Sequence, residues 1–513
     1  MCGVVGIVGQ TPINQQLYDA LLILQHRGQD AAGMAISDGE RLLLRKANGL
    51  VSEVFQQRHM LNARGNFGVG HCRYPTAGNT TSAQAQPMYV NSPCGICMAH
   101  NGNITNAKVL REAITTKYNR HLNTQSDSEI LLNVFAHELQ NSDQAVADPA
   151  SVFNAVAAVH EQCIGAYAVV ALIIGGGIVG FRDPRGIRPL VVGKRANPEN
   201  GKDEYIIASE TAALDILGFT LLRDIEPGEA CFITEDGELH MQQCAEQHTH
   251  TPCIFEYVYL ARPDSVLDQI SVYKARLSMG EALAETVLAR FKDGEHDVDV
   301  VIPIPETSRT AALPLAHRLG VDYREGFVKN RYIGRTFIMP GQSIRKKSVR
   351  QKLNVIELEV RDKVVLLVED SIVRGTTIRE VIEQCRQAGA KKVYLASAAP
   401  PVRFPNVFGI DMPSTDEFIA TGRTEKEIEE ILGVDLLVYQ KLEDLKSVVR
   451  GWNEDIPAFE CSIFDGDYNC VGVDESYLSQ LSSERNDFTK AIQDAFAIET
   501  DGEGIEIATH SNG

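Results

Sequence analysis

The second residue of the chain is a cysteine, in Met1-Cys2-Gly3-Val4-Val5-Gly6. A small side chain after the initiator favours removal of Met1, which puts a thiol and a free α-amine on one residue. Their ordinary pKa values are about 8.5 and about 7.7–8.0. The amine can therefore be neutral at working pH and take the thiol proton. Nucleophile and general base then share one residue, as in enzymes with an N-terminal threonine. On position alone, Cys2 reads better as a plain early strand residue.

A second chemical stretch is Val364-Val365-Leu366-Leu367-Val368-Glu369-Asp370-Ser371-Ile372-Val373-Arg374-Gly375-Thr376-Thr377. An apolar run that reads as a buried strand ends in two carboxylates, and a Ser/Gly/Thr-rich loop then opens a helix. Backbone N–H groups and hydroxyls at a helix start suit a phosphate monoester. Adjacent carboxylates at a strand end suit ribose hydroxyls and a hard cation such as Mg²⁺. Together they ask for a sugar phosphate with a metal nearby.

The elements that must position these residues differ between the two halves. Short apolar runs at residues 3–9, 68–72, 95–99, 166–174 and 178–181 are broken by Gly, Asn and Pro, with helical patterns at 15–25 and 126–139. Closely spaced strands with hairpin signals predict antiparallel sheets with helices packed on them. After about residue 290 apolar strands (298–304, 363–368, 393–398, 436–439) alternate with helices (308–319, 376–388). That alternation predicts a parallel sheet covered on both faces. The expected boundary lies near 235–255, around the polar stretch 242–251. The division is residues 2–240, 250–470, and a last segment 471–513, helical at first and then a flexible, disordered tail.

Composition excludes several classes. The net charge of −19 speaks against non-specific nucleic-acid binding, which needs clustered cations. No apolar run reaches the length of roughly 18 residues that a spanning helix needs, and no signal-type segment opens the chain, so no membrane association and a cytoplasmic location are expected. The eleven cysteines read as mostly buried thiols. Cys94 and Cys97 have C-x-x-C spacing but no second pair to complete a zinc site. Gly175-Gly176-Gly177-Ile178-Val179-Gly180 matches G-x-G-x-x-G, yet Pro184 and Pro189 follow and no regular helix can start there. A hairpin turn is expected instead.

Five segments then carry a family resemblance: Cys2-Gly3-Val4-Val5-Gly6-Ile7, Leu24 to Gly33 (LQHRGQDAAG), Gly70 to Gly78 (GHCRYPTAG), Ala99-His100-Asn101-Gly102-Asn103-Ile104, and Thr124-Gln125-Ser126-Asp127-Ser128-Glu129. In this order they resemble the class II glutamine amidotransferases. The resemblance implies the N-terminal nucleophile hydrolase fold, an α+β sandwich of two antiparallel sheets between helical layers. It implies Cys2 as nucleophile, Asn101 and Gly102 as oxyanion donors, Arg73 for the glutamine carboxylate and Asp127 for its ammonium. Arg27 is placed with the glutamine-binding set or as a residue that shapes the pocket. His71 and His100 are expected in packing or hydrogen-bonding roles. One oxyanion donor is typically worth about 10²–10³ in rate.

The loop after residue 368 resembles the signature of type I phosphoribosyltransferases, an α/β fold with a parallel sheet. The resemblance implies phosphoribosyl pyrophosphate contacts from Glu369, Asp370, Ser371, Arg374, Gly375, Thr376, Thr377, Lys329 and Arg335, with Mg²⁺ (one per subunit) near Thr307, Glu369 and Asp370. The carboxylate pair is Glu369-Asp370, where the joined enzymes usually carry Asp-Asp. Residues 329–352 are basic and glycine-containing, and read as a lid that excludes water.

Only the glutamine phosphoribosylpyrophosphate amidotransferases join both segments in this order, and the chain resembles that family from Cys2 to about Asn469. The resemblance implies glutamine-dependent synthesis of 5-phosphoribosylamine, the first committed step of purine synthesis. It further implies internal passage of ammonia, feedback inhibition by purine nucleotides (AMP, GMP) and a homotetramer. One branch carries a propeptide and an iron–sulfur cluster. Here the chain opens at Cys2, so no propeptide is expected. Cys253 and Cys461 are present, but Cys461-Ser462-Ile463-Phe464 lacks that branch's C-x-x-C and four thiolates are normally required, so no cluster is expected. The alternatives are an amidotransferase with another acceptor and a nucleotide sensor without turnover.

Overall fold

The computed structural model describes residues 1–74, 82–142, 148–330, 353–468, 470, 472–484 and 504–510. Two antiparallel sheets lie face to face in the first half. One runs in the order Thr220–Asp224, Val191–Ala196, Asp203–Ala208, Gly3–Val8, Phe67–Arg73, Ala31–Ser37, Arg41–Asn48, Ile505–His510. The other runs Leu239–Gln243, Glu229–Thr234, Gly177–Arg182, Gly165–Ile173, Ile96–Ile104, Met88–Val90. Val4, Val8, Val69 and Ile207 from the first meet Ala99, Ala168, Val170 and Ile178 from the second in a shared core. The helix Asn14–Leu24 covers the outer face of the first sheet, and Asp127–Gln140 with Pro149–Gln162 covers that of the second. The result is the expected sandwich between helical layers. Both faces of the central strands are buried, which explains why residues 166–173 read as continuously apolar. The triple glycine at 175–177 joins two paired antiparallel strands, as a hairpin should.

The second half holds a five-stranded parallel sheet in the order Asp322–Tyr323, Val300–Pro303, Val364–Glu369, Lys392–Ser397, Leu436–Tyr439. Alternate residues feed two cores. Ile302, Leu367 and Leu395 face the helix Thr376–Gln387, whereas Val301, Leu366 and Ala396 face Val272–Leu288 and Arg309–Leu319. The strand order reverses between Val300–Pro303 and Val364–Glu369. Ligands of open α/β sheets bind outside the carboxyl ends of the strands at such a reversal, and Glu369 ends one of the two strands there.

One expectation needs correction. The last segment opens on the helix Glu475–Glu484, but the tail after it, expected to be disordered, holds among its described residues the strand Ile505–His510. The strand pairs antiparallel with Arg41–Asn48, from Ile505↔Lys46 to His510↔Arg41. The open edge of that sheet offers a row of unpaired N–H and C=O groups, and an extended Ile-Glu-Ile segment can satisfy them even though its composition is polar.

The halves meet across an apolar cluster in which Met1, Ala166 and Ile187 pack with residues such as Phe255, Tyr257, Val407 and Phe408. Around it lie buried ion pairs, including Arg182 Nη1 to Asp268 Oδ1 at 2.8 Å. No helix among the described residues is long and apolar enough to cross a membrane.

Candidate active sites

The pairing Gly3↔Cys72 sets Cys2 beside the strand end that carries Arg73. The backbone N of Cys2 donates to Asn101 Oδ1 at 3.1 Å. Tyr74 N points at the Cys2 sulfur from 3.5 Å. Cys2 is only 6% exposed. Asn101 is fully buried, yet its Nδ2 has no hydrogen-bond partner among the described residues. A buried amide donor left unpaired costs about 1–3 kcal/mol, and a substrate oxyanion would remove that cost. Gly102 follows in the same strand with φ +151°. A Cβ there would sit 1.9 Å from the Ala166 carbonyl oxygen, so no other residue fits.

Arg73 and Asp127 flank the same place. Arg73 Nη2 donates to Gln84 Oε1 at 3.0 Å, and Cys2, Asp30 and Asp127 all lie within electrostatic reach of its guanidinium. Asp127 is the first residue of its helix, capped by Ser126, whose side chain accepts from Ser128 N. A carboxylate at a helix start is stabilised by the helix dipole. Asp127 Oδ2 also accepts from Ile104 N at 3.1 Å. His71 and His100 are buried and interlinked: His71 Nε2 lies 3.3 Å from the His100 carbonyl and His100 Nδ1 3.1 Å from Ser128 Oγ. Burial pushes the His71 pKa down to about 3, which keeps it neutral.

Arg27 is engaged throughout by the protein. Its Nε donates to the Cys2 carbonyl at 3.0 Å, Nη1 to Glu210, and Nη2 to Glu256 at 2.8 and 3.0 Å. Burial opposes ionisation of Glu210, but Arg27 and His26 overcome it and hold that carboxyl well below the usual range. Glu256, in a π-helical turn at Glu256–Leu260, also accepts from Arg188 Nη1 at 3.4 Å. Sequence reasoning singled out neither Glu210, Glu256 nor Arg188. Arg188 lies between Pro184 and Pro189 in the run after the triple glycine, but nothing local says that it or Glu256 meets Arg27.

In the second half, Ile304 N donates to Val368 O at 2.8 Å. This sets the loop bearing Thr307 next to the loop bearing Glu369 and Asp370. Ser371 Oγ donates to Asp370 Oδ1 at 2.9 Å, and Arg374 pairs with Glu417 at 2.9 Å. Gly375 caps the helix Thr376–Gln387 in the left-handed region, φ +72°. Thr376 and Thr377 open that helix. Lys329 ends the strand Phe327–Lys329, which pairs with Leu353–Val355. Arg335 and the basic segment 331–352 lie outside the described residues.

The donor set suits a divalent cation. Burial and the neighbouring Asp370 push the Glu369 pKa far up, and burial raises Asp370 to about 6. Glu369 Oε2 has no hydrogen-bond partner among the described residues. Two adjacent buried carboxyls can both ionise only if a cation or a polyol neutralises or hydrogen-bonds them. Among the described residues there is no cluster of three or more His, Cys, Asp or Glu that could hold a metal ion; a Mg²⁺ ion ordinarily keeps several waters and takes substrate phosphate oxygens beside one or two carboxylates.

The comparisons with known proteins find a different family in each half of the chain. Residues 71–215 match the glutamine amidotransferase domain family and residues 271–401 the phosphoribosyl transferase domain family. The chain is 61% identical over 491 residues to an amidophosphoribosyltransferase of Pseudomonas aeruginosa, covering 96% of this chain and 97% of that one. It is 59% identical to that of Escherichia coli, again over 96% and 97%. A solved glutamine phosphoribosylpyrophosphate amidotransferase from B. subtilis, complexed with ADP and GMP, superposes with a TM-score of 0.80 at 34% identity, over 92% of this chain and 98% of that one. Fold and domains therefore define a glutamine amidotransferase fused to a phosphoribosyltransferase. Within that class, the chain belongs to the amidophosphoribosyltransferase family. It is a transferase that makes 5-phosphoribosylamine from phosphoribosyl pyrophosphate with glutamine as nitrogen source, in purine synthesis.

Proposed function

We propose that Cys2 is the glutaminase nucleophile and that the assignments of Asn101, Gly102, Arg73 and Asp127 hold as the resemblance implies. The carrying observation is the Asn101 amide. Its oxygen accepts from Cys2 N at 3.1 Å while its NH₂ is buried without a partner among the described residues. Once Met1 is removed, that nitrogen becomes the α-amine, already oriented to take the thiol proton. Sulfur attacks the glutamine amide carbon, Asn101 Nδ2 and Gly102 N hold the oxyanion, and the amide nitrogen leaves as ammonia with the transferred proton. Water then cleaves the thioester and frees glutamate. Arg73 and Asp127 bind the two charged ends of glutamine. Arg27 takes no direct part in binding and holds the Cys2 carbonyl.

Ammonia crosses the apolar junction cluster, where it stays neutral, and attacks C1 of the ribose as pyrophosphate departs. The loop of Ser371, Arg374, Gly375, Thr376 and Thr377 holds the 5-phosphate, and Glu369 and Asp370 hold the ribose hydroxyls. Mg²⁺, when bound near Thr307, Glu369 and Asp370, neutralises the pyrophosphate. Lys329 and Arg335 belong to the phosphoribosyl pyrophosphate-binding set, as the resemblance implies. Purine nucleotides inhibit by occupying phosphate-binding surfaces, in line with the nucleotides bound to the B. subtilis relative. The working unit is a cytoplasmic homotetramer without an iron–sulfur cluster, since Cys253 and Cys461 do not make a four-thiolate set. A cluster spectrum from purified protein would overturn that last point. The functional boundaries are 2–240 for the glutaminase and 250–470 for the transferase.

The test is Cys2→Ala, made on protein whose intact mass shows Met1 gone from the parent. Glutamine-dependent synthesis should vanish and ammonium-dependent synthesis should persist. Retention of glutamine-dependent turnover would refute the assignment of Cys2.

A further inference from the structure

One segment of the transferase half reaches both sites. It leaves the parallel sheet beside the phosphoribosyl carboxylates, where Ala398 N donates to the Glu369 carbonyl at 2.8 Å. It ends against the glutaminase. Val407 O accepts from Asn103 Nδ2 at 2.8 Å, and Phe408 O accepts from Arg188 Nε at 2.8 Å. Its own turn is fixed by Asn406 Oδ1, which accepts from Phe408 N and Ile410 N at 2.8 and 2.9 Å. Tyr468 Oη donates to Pro405 O at 2.7 Å.

A further contact is glycine to glycine. A Cβ on Gly409, whose φ is +99°, would fall 2.6, 2.7 and 2.8 Å from the oxygen, carbonyl carbon and Cα of Gly102. All three are backbone atoms and cannot swing aside. On one side Gly102 is held by its pairing with Tyr167. Among the described residues, the other neighbouring strand, Met88–Val90, pairs with Ile96, Cys97 and Met98 and no further along. Beyond that point it is Val407 and Gly409 that bear on residues 102 and 103. The direction of the Gly102 N–H therefore depends on a loop from the other half of the molecule.

We propose that residues 398–410 act as a strut that sets the oxyanion hole, with Gly409 as a positioning residue for Gly102 and Asn103 as its anchor. The proposal rests on the reading of Gly102 as an oxyanion donor. The same strut starts at the Glu369 carbonyl, so displacement of the phosphoribosyl loop reaches the glutaminase through it. Arg188 extends the contact to the nucleophile, because Glu256 accepts from both Arg188 and Arg27, and Arg27 holds the Cys2 carbonyl.

Gly409→Ala separates this role from general structure. In the full-length enzyme, kcat with glutamine should fall by about 10²-fold, the scale of one lost oxyanion donor. KM for glutamine should change by less than about threefold, because Arg73 and Asp127 are untouched, and ammonium-dependent kcat should stay within about threefold of the parent. Gly433→Ala is the control. It makes the same change at φ +72°, where a Cβ meets nothing within 4 Å, and both activities should survive. If Gly409→Ala does not fold, Asn103→Ala decides, since it removes the Val407 bond without adding bulk and should lower glutamine kcat selectively. Equal loss of both activities, a KM rise at constant kcat, or unchanged glutamine kcat in the deciding variant overturns the strut. Failure of the underlying reading shows separately, as glutamine turnover that survives Cys2→Ala.

Discussion

Two arginines converge on the carboxylate of Glu256. Arg27 and Arg188 are both fully buried at the side chain, and Glu256 is nearly so. Removing one member of a buried ionic set leaves the others charged and unpaired in a low-dielectric interior, which costs about 3–5 kcal/mol. We expect Glu256→Gln to lower the unfolding free energy by about that amount, read by urea denaturation. It should also reduce glutamine-dependent turnover more than ammonium-dependent turnover, because Arg27 would lose the partner that fixes it on the Cys2 carbonyl. At this scale the sequence was informative about residues that act alone and silent about those that act through others. Cys2, Arg73, Asn101 and Asp127 stand inside recognisable segments. Glu210 and Glu256 stand 183 and 229 residues from Arg27, and no local pattern couples them.

Among the elements, the helix Thr376–Gln387 depends on its cap. Gly375 turns the chain from the Glu369-Asp370 strand end into the helix at φ +72°, and a Cβ there would lie 2.6 Å from Ile419 Cδ1. Gly375→Ala must therefore pay backbone strain and displace an apolar side chain. A non-glycine residue in the left-handed region costs about 1–3 kcal/mol. Weakened phosphoribosyl pyrophosphate binding, by roughly tenfold or more on that energy scale, should appear by calorimetry, with glutamine KM unchanged. Unchanged affinity would show that the loop does not hold the substrate phosphate. The strands and helices themselves were largely legible, because buried strands are apolar throughout and helices repeat at 3.6 residues. The strand Ile505–His510 was not, because its partner Arg41–Asn48 lies more than 450 residues away and the pairing is satisfied by backbone groups that every residue carries.

For the molecule as a whole, the junction holds a titrating pair. Asp224 and Asp268 face Arg182, His250 and the Tyr257 hydroxyl. Burial and then the charge of Asp268 raise Asp224 to about 6, against the opposing pull of Arg182 and two backbone N–H groups. The folded chain thus holds this proton more tightly than the unfolded chain does. The stabilisation is complete below about pH 4 and is lost as the pH rises through about 6. Asp224→Asn lacks that titration. The stability difference between parent and variant should shift in favour of the variant by on the order of 2–3 kcal/mol between pH 4 and pH 7. A difference flat across that range would show that Asp224 is already ionised at the lower pH.

From residue types and their order alone came antiparallel sheets with packed helices, a parallel sheet, a terminal thiol beside its own amine and a carboxylate-and-hydroxyl loop, whereas the sandwich, the remaining site roles and the reaction came from the resemblance of whole segments to a family. The former features rest on local rules: burial imposes apolar runs, phosphate cradles need glycine and hydroxyls at a helix start, and a nucleophile with its own base must be terminal. The tertiary structure alone decided which side chains meet. It placed Asn101 on the Cys2 nitrogen, Arg27 between two distant carboxylates, and Gly409 against Gly102. Such contacts join residues hundreds of positions apart, and their energies depend on distance and burial in the folded state, which linear order does not specify.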